Sequence, residues 1–114
     1  PVYAMMGGTV TSTSLCGAED GIAIKSSVDG GTLGIAYMHG KNKRFKKGET
    51  VRAGQQIMEV GTLGCNVYGS HLHIGMAYKG NYICPQDVFL ALANKASVNW
   101  QQLVGKTSGG CGRI

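Results

Sequence analysis

The strongest constraint on this chain is its punctuation: nineteen glycines and two prolines interrupt short runs of alternating polar and apolar residues. Glycine takes tight-turn conformations that other residues resist, so this density favours many turns and few long helices. Between the turns the apolar period is two. Gly21-Ile22-Ala23-Ile24-Lys25-Ser26 points Ile22 and Ile24 inward, and Leu33, Ile35, Tyr37 and His39 share one face of the next run. Asp29-Gly30-Gly31 between them is a hairpin signal. Further strands are expected over Thr9 to Ser14, Gln56 to Val60, and a run through Tyr78 that Lys79-Gly80-Asn81 turns into Tyr82-Ile83, with Pro1 to Ala4 a short extended entry. One helix is expected, from Val88 to Lys95 after Pro85-Gln86-Asp87, with Phe89, Leu92 and Ala93 as its apolar stripe. The fold class that follows is all-β, an antiparallel β-sandwich or small barrel with one short C-terminal helix.

One stretch of that pattern carries chemistry. In Gly69-Ser70-His71-Leu72-His73-Ile74-Gly75-Met76, two of the three histidines stand two residues apart. On a strand His71 and His73 look out together, while Leu72, Ile74 and Met76 turn towards a core. Neighbouring imidazoles are the start of a metal site or of proton-transfer chemistry. The competing reading is a pair of half-exposed histidines that titrate and do nothing else.

Charge and cysteine content narrow the setting. The net charge is +5, and Lys41, Lys43, Arg44, Lys46, Lys47 and Arg52 supply six of the eleven positive charges. This cluster is either a solvated hairpin loop or a surface for an anionic envelope polymer. No nucleic-acid motif or aromatic interleaving accompanies it, so nucleic acid is not an expected partner. No apolar run approaches the ~18–20 residues of a membrane-spanning helix. Cys16, Cys65, Cys84 and Cys111 form no Cys-x-x-Cys pair; two disulfides in an oxidising compartment or a set of free thiols both fit. The domain is expected to occupy residues 1–95, with 96–114 as a Gly/Ser-rich C-terminal extension.

Four stretches, taken in order, resemble a known family. They are Pro1-Val2-Tyr3-Ala4 with Gly8-Thr9-Val10; Tyr37-Met38-His39; Lys47-Gly48-Glu49-Thr50-Val51-Arg52-Ala53-Gly54-Gln55 with Val60-Gly61; and His71-Leu72-His73 followed by Pro85. Together they resemble the LytM-like M23 zinc endopeptidases, the lysostaphin-type enzymes that cut peptidoglycan cross-bridges. The resemblance implies a duplicated-hybrid-motif β fold and a secreted, periplasmic or envelope-associated enzyme acting on peptidoglycan peptides. By the same resemblance His73 matches a zinc ligand, His71 a catalytic histidine beside the metal, and His39 a second histidine that orients or stabilises the attacked peptide.

The sequence also departs from the family. Its members carry a His-x-x-x-Asp pair, supplying the other two zinc ligands, shortly before the stretch matching Pro1-Val2-Tyr3-Ala4. Two expectations follow: a C-terminal part of a longer enzyme, or a catalytically inactive binding or scaffolding module of a bacterial envelope or phage assembly. A substitute site using Cys65, His71 and His73 would take His71 from catalysis, and the turn residues Asp20 and Asp29 have no inferable direction. Val51 to Gly61 also resembles lipoyl- and biotin-carrier barrels. Neither Lys25 nor Lys79 has the flanking sequence of a modified lysine, however, and the histidines would go unexplained.

Overall fold

The computed structural model describes residues 1–17, 19–63, 72–93 and 100. In chain order its elements are β1 (Val2–Tyr3), β2 (Gly8–Ser12), β3 (Gly21–Val28), β4 (Gly31–Met38), β5 (Gly40–Lys41), β6 (Thr50–Val51), β7 (Gln56–Val60), β8 (His73–Tyr78), β9 (Asn81–Ile83) and α1 (Pro85–Ala93). The strands form a six-stranded sheet, ordered β6-β2-β3-β4-β8-β9, and a three-stranded sheet, ordered β1-β7-β5. Every described pairing is antiparallel. The mostly-β architecture with one short helix is the one the turn density implies.

The period-two pattern sets the core. Val10, Ile22, Ile24, Leu33, Ile35, Tyr37, Met76 and Tyr78 bury one face of the large sheet, together with Val2, Ile57 and Met58 of the small one. The Tyr37 hydroxyl accepts the Met5 amide at 3.0 Å, satisfying the one polar tip this face carries inward on β4. Burial pushes the Tyr37 phenol above its ordinary value, against the lowering effect of that amide. On the opposite face of the large sheet the registers Gly34↔Ala77, Ala36↔Gly75 and Met38↔His73 line up an outer surface of small residues that ends at His73.

Two expectations need correction. Leu72, expected in the core, is 36% exposed; β8 begins only at His73, so no neighbouring strand seats the residue before it. Phe89, expected on the buried stripe, is 39% exposed, whereas Val88 is 3% exposed. The helix starts at Pro85, where a missing N–H costs nothing, and one residue further on is a rotation of ~100° around its axis. The two-residue strands β5 and β6 are too short to have a period that the sequence could show. Trp100 is buried and stacks on Tyr78 with centroids 6.2 Å apart.

Candidate active site

The site is built at a corner. β4 leaves the large sheet at Met38, and β5 enters the small sheet at Gly40, so His39 alone makes the turn between the two layers. Strands that switch sheets do so through local distortion, and His39 has φ 67°. A left-handed φ is uncommon outside glycine, although His, Asn and Asp tolerate it best. Two groups brace the corner. The Gly40 amide donates to the Asp20 carbonyl at 2.9 Å, and His39 Nδ1 lies 2.9 Å from the Leu63 carbonyl. A carbonyl oxygen can only accept, so Nδ1 carries the hydrogen and Nε2 is the basic nitrogen of the neutral ring.

His73 meets this corner from the neighbouring strand. It lies in register with Met38 and is exposed on the outer face. Its ring stands edge-on to the His39 ring, with centroids 5.9 Å apart at 86°. The structure therefore brings two of the three sequence-flagged histidines together, one buried and one exposed. His71 and Cys65 lie outside the described residues.

Sequence reasoning missed Asp20. Read as an undirected turn residue, it is fully buried. Its carboxylate accepts the amides of Leu15 at 2.7 Å, Cys16 at 3.0 Å and Gly17 at 3.0 Å. Burial alone would raise its pKa, but those amides hold the carboxyl below the ordinary value. Asp20 thus fixes the loop before β3 with its side chain and the His39 corner with its carbonyl. Nothing in the sequence distinguishes it from a solvent-facing turn aspartate. Asp29 lies in the β3–β4 turn with φ 47°.

Among the described residues no three His, Cys, Asp or Glu side chains converge to hold a metal ion. His73 is exposed, and His39 has its Nδ1 already committed. A catalytic zinc takes three protein ligands and leaves one position open, so the described donors fall short of a zinc site. Of the basic cluster, Lys41, Arg44, Lys46, Lys47 and Arg52 are exposed, while Lys43 pairs with Glu19 at 3.5 Å.

A model of peptidase family M23 matches residues 1–85, a span that includes β1 to β9 and both described histidines. The chain belongs to peptidase family M23. Among solved structures it is similar to a mutant of the catalytic domain of the prophage-encoded M23 protein EnpA from Enterococcus faecalis. The two are 27% identical with a TM-score of 0.59, over 75% of this chain and 67% of that one. No curated protein sequence matches it. The M23 fold is thus established by both sequence and structure. No helix among the described residues of this M23 domain is long and apolar enough to cross a membrane.

Proposed function

We propose that this M23 domain is the substrate-holding part of a zinc-dependent endopeptidase that cleaves peptidoglycan peptides at the cell envelope. The observation that carries the reading is the His39–His73 pair, set where β4 changes sheets and open on one side to an extended surface. His73 is the zinc ligand on this proposal, and His71 and His39 are the catalytic histidines. His39 holds its proton at Nδ1 against the Leu63 carbonyl, and on this proposal Nε2 is the nitrogen that exchanges a proton with the reacting groups. Zinc, when bound, supplies a Lewis acid and lowers the pKa of its water towards ~7. The remaining ligands come from outside the described residues, as the implied His-x-x-x-Asp pair would.

An oxidising location outside the cytoplasm is supported by Cys16 and Cys84, neither of which is a free thiol. The exposed basic residues from Lys41 to Arg52 are compatible with attraction to an anionic envelope polymer. One observation favours a second reading: the lack of a three-donor cluster among the described residues suits a non-catalytic binding or scaffolding module.

Zinc content and release of new amino termini from purified peptidoglycan separate the two readings, measured on the 114-residue chain and on the same chain carrying an added N-terminal His-x-x-x-Asp segment. The enzyme reading expects weak zinc and little turnover from the first protein, and stoichiometric zinc with chelator-sensitive turnover from the second. In the active form, His39→Ala should lower turnover by roughly 10²–10⁴-fold with zinc retained, and His73→Ala should lose the metal. Binding to peptidoglycan without zinc or turnover in either protein would favour the scaffold.

A further inference from the structure

The outer face of the large sheet contains two glycines that internal packing does not require. At Gly8, Gly21 and Gly40 an added Cβ would overlap Lys25 O, Tyr37 O and Met58 Sδ respectively, so the fold itself demands glycine there. At Gly34 the nearest atoms would be Ala77 O at 3.9 Å and Lys25 Cγ at 4.0 Å, and at Gly75 Met38 Cε at 3.6 Å, all ordinary contacts. Neither residue has a positive φ. A strand glycine weakens its strand, and one reason for it is close approach by a ligand backbone.

This open face has chemically different ends. One end is His73, in register with Met38. At the other, Lys25, Thr32, Gly34, Ala77, Lys79 and Gly80 line a cavity of about 390 Å³. Lys25 and Lys79 are exposed, and among the described residues the one ion pair joins Lys43 to Glu19. The Lys79 ammonium lies 5.7 Å from the Tyr78 ring centroid, and among the described residues no carboxylate pairs with it. An apolar cavity of about 370 Å³, also lined by Lys25, Gly34 and Ala77, joins this end to Ala36, Met38 and Gly75.

We propose that Lys25 and Lys79 form a carboxylate subsite, so that the face holds an extended peptide bearing an acidic group several residues from the position at His73. The inference rests on the peptidase reading above and adds a substrate requirement to it. From His73 to Ala77 is four strand steps, or about 13 Å, so the acidic group lies about four residues from the bond at the histidines. The glycines at 34 and 75 let the peptide backbone lie close to the sheet. The lysines select the charge and fix the register.

The test uses two N-acetylated Gly/Ala pentapeptides that differ only at the C-terminus, one a free carboxylate and one an amide. Both are titrated into the 114-residue chain at low ionic strength, with NMR shifts of His73 and of the lysines as readout. The carboxylate should bind roughly five-fold more tightly than the amide, the scale of two exposed ion pairs, and added salt should narrow the gap. In a Lys25→Met/Lys79→Met variant with an unchanged fold spectrum, the ratio should fall to one. Gly34→Ala, whose Cβ would meet only ordinary contacts, should weaken both peptides alike. Equal affinities in the parent protein, a ratio that survives the double variant, or no shift with either peptide would each overturn the subsite. Equal affinities with His73 still shifted would overturn it while leaving the peptidase reading intact.

Discussion

At its Met38–His73 end the β4–β8 pair is fastened by buried polar groups, and at its Leu33–Tyr78 end by aromatic burial. At the first end Asp20 gathers three amides with its carboxylate and the Gly40 amide with its carbonyl, while Leu63 holds the His39 ring. At the second end the Tyr78 ring stacks on Trp100 at 26°, and its hydroxyl donates to the carbonyls of Val28 and Asp29. Hydrogen bonds fix direction, whereas apolar burial fixes little beyond proximity. The end that must aim imidazoles is the one that relies more on directional contacts. The cost of that choice is sensitivity to pH, which the aromatic end does not share.

The largest expected effect lies at the aromatic end. Trp100→Ala should destabilise the domain by about 3–5 kcal/mol, the usual range for a buried large aromatic. Urea unfolding checks it, with the midpoint shifted and the slope unchanged. The loss should be the same at pH 7 and pH 4. A chain ended at residue 95 tests the proposed domain boundary by the same measurement, because it also removes the Trp100 ring.

Asp20→Asn at the polar end should cost less, about 2–3 kcal/mol at neutral pH, since an amide replaces a charged acceptor of several N–H groups. Its signature is in the pH dependence. The folded pKa of Asp20 is depressed, so its stabilisation is fully present above the unfolded value of ~3.9 and is lost as pH falls through the folded value. The parent protein should therefore lose stability on acidification in that window, and the asparagine variant should lose less. Equal acid slopes in the two proteins would remove Asp20 from the bracing of the corner.

The same contrast explains what the sequence could reveal. Apolar burial leaves a period, and the period points Ile22, Ile24 and Met76 inward and puts Leu33, Ile35 and Tyr37 on one shared face, all of them buried. It failed at Leu72 and Phe89 because period gives a face but not the residue at which an element begins. Polar bracing leaves no period. Asp20 has the composition of any turn, and the Leu63 carbonyl belongs to a backbone whose direction no side chain encodes. The histidines were visible because imidazoles are few, and the sheet-switching corner that joins His39 to His73 was not.

A third prediction probes the corner backbone. With φ 67° at His39, His39→Val places a β-branched side chain in the left-handed region and should cost about 1–3 kcal/mol. His39→Asn also loses the ring contact with the Leu63 carbonyl but tolerates that conformation, so it should lose less stability than His39→Val. Both variants lose the imidazole, so any activity gained with zinc should fall in both. If the two variants unfold at the same urea concentration, the left-handed corner is not what holds the histidine pair.

The smallest effect is expected back at the aromatic end. Tyr78→Phe keeps the ring on Trp100 and removes only the hydroxyl that donates to Val28 O at 2.9 Å and Asp29 O at 3.1 Å. Each carbonyl on this turn can recover a partner from water, so the loss should be about 1 kcal/mol, near the net value of one hydrogen bond. It should be independent of pH between 4 and 7, unlike the Asp20 effect. The hydroxyl also ties the β3–β4 turn to β8, close to Lys79 and the cavity it shares with Lys25. A loss near that of Trp100→Ala would mean that this end, too, depends on direction, and that a polar contact rather than burial sets where the lysines stand.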